Sequence, residues 1–362
     1  MAGNILQKVM TEANIGIYQG NFLEGLGQRA RARGWIWIAE KLEARAQHKY
    51  ENANARLRLA YAGERLKGSL HEHFVPFKSD KRTEAQAERF WKRIERLKFD
   101  FVAVTTHAGA VGKLQPENIF ELLERKMPET LKQSKFLLIP AIEFTTAEGI
   151  DVIALSGDKK ALFDRALLSK KWTLNGLLDE LRNRKCAGFL PHPSSMHGAQ
   201  FQLSELYRRK RILEPEKAAA RELARLVQAY GLGVEAFHGM SAAHAKVVSW
   251  VPFPKLRARW LSKVNPVPSK ELRDQARFLT AGTDAHDVKN LGMTFFEIPR
   301  QRGAVGLEEF LNSLPPKIAL SHSSKKALTG SLRNIRGGTR ELTYYPPEAQ
   351  KKRGLWKALR HK

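Results

Sequence analysis

One pattern recurs along this chain and limits the architectures open to it. A short apolar run, rich in β-branched and aromatic residues, ends on a histidine or a carboxylate and gives way to a helical stretch. Residues 99–107 (FDFVAVTTH) end on His107, 136–143 (FLLIPAIE) on Glu143, and 187–192 (AGFLPH) on His192. Residues 233–238 (GVEAFH) end on His238, and 278–281 (FLTA) lead through Gly282 and Thr283 to Asp284 and His286. Upstream, His71 and His73 bracket Glu72. In an extended segment residues i and i+2 face the same side. His71 with His73, and Asp284 with His286, can therefore each grip one metal ion or two neighbouring ones.

Helical segments separate these runs. Residues 1–67 read as helical, with Asn21 as a cap, one helix through Leu26, Ala30, Trp35, Ile38 and Leu42, and a second through Leu57, Leu59, Tyr61 and Leu66. After His73, Asp80 lies on a loop, and Thr83 and Gln86 predict a capping pair for a helix with Ala87, Phe90, Ile94 and Leu97 on its apolar face. Pro116 predicts the start of another helix, and Pro215 one that Gly231 closes. Residues 150–155 (IDVIAL) predict a fourth strand with Asp151 at its start, and 293–298 a further short one. Alternating strand and helix units predict a parallel sheet closed as a barrel. In such barrels the chemistry collects at the C-terminal ends of the strands, where nearly all these histidines and carboxylates fall.

The net charge is +25, from 62 Lys+Arg against 37 Asp+Glu. The excess is uneven: residues 315–362 hold twelve basic residues against Glu341 and Glu348, and 245–278 hold eight against Glu271 and Asp274. Such fields attract polyanions, among them nucleic acid, nucleotides and anionic lipid, and they also keep a surface soluble. Trp250, Phe253 and Trp260 among these bases can stack on nucleobases or, slightly favoured, pack the segment onto the barrel. The single cysteine, Cys186, forms no internal disulfide and predicts a reducing compartment; with no secretory pattern at residues 1–8 and no apolar run of membrane-spanning length, a cytoplasmic location is expected. No histidine near Cys186 in sequence could serve as its base, so it reads as a packing or surface thiol rather than a nucleophile.

Taken in order, the histidine and carboxylate segments resemble the PHP (polymerase and histidinol phosphatase) family of metal-dependent phosphoesterases, over roughly residues 68–298. The family's Asp-Leu-His-x-His is similar to Ser69-Leu70-His71-Glu72-His73, and its Thr-Asp-His to Thr105-Thr106-His107. Its Pro-Gly-x-Glu-x-Thr-Thr resembles residues 140–146 with Glu143. Its His-Pro step resembles His192-Pro193, and its Ser-Asp-Ala-His resembles Thr283-Asp284-Ala285-His286, with Gly292 beyond.

The resemblance implies an α/β fold, a distorted (β/α)7 barrel at 68–314 carrying the basic insertion 245–278. A helical N-terminal extension (1–67) would precede it and a basic C-terminal tail (315–362) follow it. It also implies two or three divalent metal ions (Mn, Zn, Fe or Mg) and seven catalytic ligands. One ion would sit on His71, His73, Glu143 and Asp284; a second would share Glu143 and add His192; a third would use His107 and His286. Asp151 stands where the family usually has histidine and would favour a harder ion such as Mn²⁺ or Mg²⁺. Asp80 is the nearest residue to the family's loop ligand, slightly too far along.

The activity implied is hydrolysis of a phosphate ester by metal-activated water, on nucleic acid or nucleotides given the basic segments. A small phosphomonoester, as for histidinol phosphatases, is the alternative. A non-catalytic module binding nucleic acid or a protein partner is a third reading, suggested by Ser69, Thr106 and Asp151. Lys246, Lys289 and Arg182 are candidates to hold phosphate oxygens. His238 reads as a pocket-wall hydrogen-bonding residue, His197 and His244 as loop histidines, and Glu235 has no assigned role.

Overall fold

A computed structural model describes residues 65–299 apart from short gaps at 78–79, 109–114, 135, 196–197, 249–251, 262–266 and 293, together with 309–311 and scattered positions between 23 and 49. The basic tail at 315–362, Asn21, residues 57–64, His197 and Trp250 lie outside the described residues. So does the side chain of Lys246.

The chain divides into two units. The first comprises Met1–Arg65, Pro252–Arg259 and Pro299–Gln301. Its described residues include helical turns at 36–42, with Trp35 and Trp37 exposed and Lys41 Nζ 3.7 Å from the centre of the Trp37 ring. Phe253 is exposed as well.

The second unit is α/β, built on an eight-stranded, nearly closed barrel-like sheet. Its strands are β1 (Arg65–His73), β2 (Phe101–His107), β3 (Leu137–Thr145), β4 (Asp151–Leu155), β5 (Ala187–Leu190), β6 (Gly233–His238), β7 (Leu279–Gly282) and β8 (Phe296–Pro299). The spatial order is β7-β6-β5-β4-β3-β2-β1-β8. β1, β2 and β3 pair in parallel, as do β5, β6 and β7. Just past β7 the chain returns to β1, next to the edge strand β8: Asp284 N–H donates to the His71 carbonyl at 3.0 Å and His73 N–H to that of Ala285 at 3.0 Å, which nearly closes the sheet.

The eighth strand, β8, is the further short strand expected at 293–298, joining the sheet beyond the seven that the resemblance implies. One feature departs from a parallel sheet: β4 runs antiparallel to both neighbours. The reason is the connection. Residues 146–150 close a tight turn, with Thr146 N–H donating to the Ile150 carbonyl at 2.9 Å and Gly149 at φ +81°, a conformation that glycine adopts without a Cβ penalty. A parallel return needs a crossover of about a dozen residues. Residues 65–67, expected within the helical extension, instead open β1.

Alternation along the strands makes two layers of core. Leu70, Phe101, Ile139, Phe189, Phe278 and Phe296 pack together as one buried cluster. The opposite faces, with Val102, Val104, Ile142 and Phe144 among them, pack under the flanking helices. Helix α1 (Asp80–Leu97) covers β1 and β2 with Phe90, Trp91 and Ile94, all essentially inaccessible to solvent. Thr83 and Gln86 are not its cap. Thr83 Oγ1 accepts from Phe77 N–H at 2.9 Å, and Gln86 Nε2 donates to the Val75 carbonyl at 2.8 Å, so both tie the loop leaving β1 to the helix body.

Helices α2 (Pro116–Arg125) and α3 (Glu129–Gln133) lead into β3. α4 (Lys159–Leu162), α5 (Arg165–Ser169) and α6 (Leu174–Asn183) lie between β4 and β5. α7 (Ala199–Arg209) and α8 (Pro215–Tyr230) lie between β5 and β6; Pro opens α8 and Gly231 closes it in the left-handed conformation. The segment after β6, read as an excursion, holds α9 (Gly239–Val248), α10 (Pro254–Leu261) and α11 (Lys270–Asp274). Trp260 is 48% exposed. Among the described residues no helix is long and apolar enough to cross a membrane.

Candidate metal centre

Register shifts set the site. Along β1 the partners run Gly68↔Phe101 and Ser69↔Val102, then Glu72↔Val104, so three residues of β1 advance against two of β2. The extra residue lets Leu70 stay with the interior cluster while His71 and His73 also turn inwards. In β6 the register shifts between Glu235 and Phe237. Gly282, ending β7, is needed where it stands: a Cβ there would lie 2.6 Å from Glu235 Oε1 and 2.7 Å from His71 Cβ.

The donor atoms of seven side chains meet at this end of the sheet. His71 Nε2 lies 3.3 Å from His73 Nε2 and 3.5 Å from Asp284 Oδ1. His73 Nε2 lies 3.3 Å from Asp284 Oδ1 and 3.1 Å from Glu143 Oε2. Glu143 also approaches His107 Nδ1 (3.2 Å) and His192 Nε2 (3.7 Å), and His286 Nδ1 lies 3.3 Å from Asp284 Oδ1. Three overlapping groups result: His71, His73 and Asp284; His71, Glu143 and His192; and His73, His107 and His286. In each, the donor atoms all lie within 4.8 Å of one another.

These spacings fit a cation. A metal bound at about 2.1 Å in tetrahedral geometry separates its ligands by about 3.4 Å, which is the spacing found here. Among the described residues, Glu143 Oε2 and His192 Nδ1 are buried and make no hydrogen bond. The backbone points the same way. His192 (φ +33°) and Asp284 (φ +56°) are left-handed, a strain of order 1–3 kcal/mol each for a non-glycine residue. The other described non-glycine residues with positive φ flank helix ends.

Electrostatics are tight because most of the site is buried. Burial alone would raise the Glu143 pKa, but His107, His192 and His73 outweigh it and hold the carboxyl well below its usual range. Asp284 is likewise held well below its range, with His286, His71, His238 and His73 overcoming burial. Burial lowers the pKa of His192, yet Glu143 and Asp284 push it up to about 9. In this cluster a proton on His192 balances the carboxylates, a charge that a bound cation would replace.

Two residues to which the sequence assigned no metal role complete the centre. Glu235 is fully buried. Its Oε1 lies 3.3 Å from His71 Nδ1 and its Oε2 accepts from His192 N–H at 2.6 Å. With His71 Nδ1–H donating to this carboxylate, Nε2 carries the lone pair and faces the other donors. His238 Nδ1 accepts from Ser241 N–H at 3.1 Å, which leaves the proton on Nε2, 3.6 Å from Asp284 Oδ2. His238 Nε2 is buried near Asp284 and makes no hydrogen bond among the described residues, and His238 also groups with His71 and Glu235. The one sequence signal for Glu235 is a carboxylate inside an otherwise apolar strand.

Two expected ligands are in none of these groups. Asp80 is exposed at the first turn of α1. Asp151 accepts a 2.5 Å hydrogen bond from Thr145 Oγ1, which ties the carboxylate across the β3–β4 hairpin. Arg182, a candidate phosphate ligand, instead donates to the Ala229 carbonyl at 2.6 Å and stacks on Tyr230. Cys186 is buried, and burial raises its thiol pKa, as suits a packing residue. No family model, curated protein or solved structure matches this chain.

Proposed function

We propose that the chain is a metal-dependent phosphoesterase whose centre is built from His71, His73, His107, Glu143, His192, Asp284 and His286. The observation carrying this reading is the spacing of buried donor atoms, 3.1–3.7 Å between neighbours, drawn from β1, β2, β3 and the exits of β5 and β7. The PHP-like order of the same residues in the sequence supports it independently. Divalent cations held there would supply Lewis acidity towards a phosphoryl oxygen and a water acidic enough to ionise near neutral pH. Glu143 has one oxygen beside His73 and His107 and the other towards His192, so it can serve two neighbouring positions. Glu235 fixes the His71 ring and the backbone turn at His192.

The test is turnover by Mn²⁺-repleted protein on p-nitrophenyl phosphate and on single-stranded oligonucleotides. Hydrolysis of at least one is expected, with loss of more than about a hundredfold in His71→Ala and Asp284→Ala, beyond what an outer-layer partner costs. Wild-type turnover in either variant while it remains folded would overturn the assignment.

A further inference from the structure

Helix α1 sorts its charges by face. Glu84 and Glu88 approach Lys126 and Arg125 on the α2 side, and Glu95 accepts from Thr130 at 2.8 Å. Arg89, Lys92, Arg93 and Arg96, spaced i, i+3, i+4 and i+7, fall on another stripe. That stripe lines a cleft of about 460 Å³, whose far wall is the turn Asp287-Val288-Lys289. Five cations thus face one carboxylate, and Asp287 caps its own turn by accepting from Lys289 N–H at 2.8 Å. Arg93 is set in place: its Nε donates to the Leu291 carbonyl at 3.1 Å. Among the described residues, Arg89, Lys92, Arg96 and Lys289 enter no ion pair.

The cleft adjoins the metal centre through the chain itself. Asp287 follows His286 directly, about 3.8 Å on between Cα atoms, and Phe77, also in the lining, lies on the loop leaving His73. From Arg89 to Arg96 the stripe runs about 10 Å at 1.5 Å per residue, well beyond the width of one phosphate group. A single phosphate would engage one or two of these cations; a run of phosphates engages them all.

Building on the phosphoesterase reading, we propose that this cleft binds backbone phosphates of a nucleic-acid strand beside the ester presented to the metal centre. The ligand class is a single strand, since a cleft of this volume admits a backbone and not a duplex. The bases on α1 act as phosphate contacts that set the register of the strand without reading its sequence.

Fluorescence anisotropy of a labelled oligothymidylate of about 12 nucleotides, with EDTA present so that no strand is cut, tests this on the full chain. The triple variant Arg89→Ala/Lys92→Ala/Arg96→Ala should weaken binding at least tenfold and lower the slope of log K against log salt by about 2, at about 0.7 per lost contact. The control Lys160→Ala/Arg165→Ala/Arg221→Ala removes the same charge from exposed helix positions outside the cleft and should stay within twofold of wild type. Equal losses in the two variants, or no loss in the first, would overturn the proposal. Polyphosphate competing as well as oligonucleotide at equal phosphate concentration would overturn the assignment to nucleic acid. Binding is read without turnover, so failure of the phosphoesterase reading is separately visible in the hydrolysis assay.

Discussion

The mouth of the barrel and the flank of α1 both concentrate ionisable side chains, and they do so under opposite rules. At the mouth both signs interpenetrate, the groups come from different strands, and His71, Glu143 and Glu235 are almost or wholly inaccessible. On the flank, five cations come from one helix and one turn, and all but Arg93 of the four on the helix are exposed. A charge taken out of water is tolerable only with a partner in good geometry. Exposed charges of one sign need none, because solvent screens them. The mouth is therefore a fixed constellation in which every group depends on the others, while the flank is a field whose members add nearly independently.

That contrast can be broken by substitution. The largest effect belongs to the mouth: Asp284→Ala or His71→Ala should reduce both metal retention and turnover by more than about a hundredfold, read by metal analysis and p-nitrophenyl phosphate hydrolysis. Next comes Glu235→Gln, which keeps the shape but weakens the hold on His71 Nδ1. It should lower metal affinity about 10- to 100-fold in a competitive chelator titration, and an unchanged affinity would mean that Glu235 does not orient His71. Smaller still, Asp151→Asn and Asp80→Asn should leave metal stoichiometry unaltered; affinity should stay within about twofold for the exposed Asp80, since surface polar changes away from the site rarely reach 1 kcal/mol, and fall slightly further for the buried Asp151, whose charge reaches His192. A drop of one whole equivalent in either variant would restore that residue as a ligand.

A separate prediction concerns pH, read on stability rather than on metal binding. Glu72 is buried, and burial raises its pKa to about 8, with the nearby hydroxyls of Ser69 and Thr283 offsetting part of the rise. Its sign is opposite to that of Glu143 and Asp284. Between the unfolded value near 4.5 and about 8 the folded state binds the extra proton, so this residue makes stability fall as pH rises through that window. The slope for one proton is about 1.4 kcal/mol per pH unit. Glu143 and Asp284 contribute stability above their unfolded values that is lost on acidification. In metal-free protein, Glu72→Gln should flatten the decline of melting temperature between pH 6 and 8; an identical decline in wild type and variant would place the titrating group elsewhere.

Much of the mouth was legible in the sequence because strand alternation is a strict rule: His71 and His73, or Asp284 and His286, two apart at a strand end, must share a side unless a bulge intervenes. The apolar runs announced the strands, and Pro215 with Gly231 announced the limits of α8. The direction of β4 was harder, since an apolar run of five residues reads alike both ways. Yet the five residues between Thr145 and Asp151 are too few for a crossover, and that length was the available signal. The role of Glu235 depended on contact with His71 across 164 positions, which no local pattern encodes. Asp80 and Asp151 stand outside the donor groups, the one in the first turn of a helix and the other bound to a threonine, and a carboxylate near a strand end satisfies a motif in either case.

The central claim is that side chains from separate strands share cations at one mouth of the sheet. Metal content measured by mass spectrometry after repletion with Mn²⁺ and removal of free ion tests it most directly. About two equivalents or more per chain are expected, reduced in Asp284→Ala. Less than about one equivalent in folded wild-type protein would contradict it.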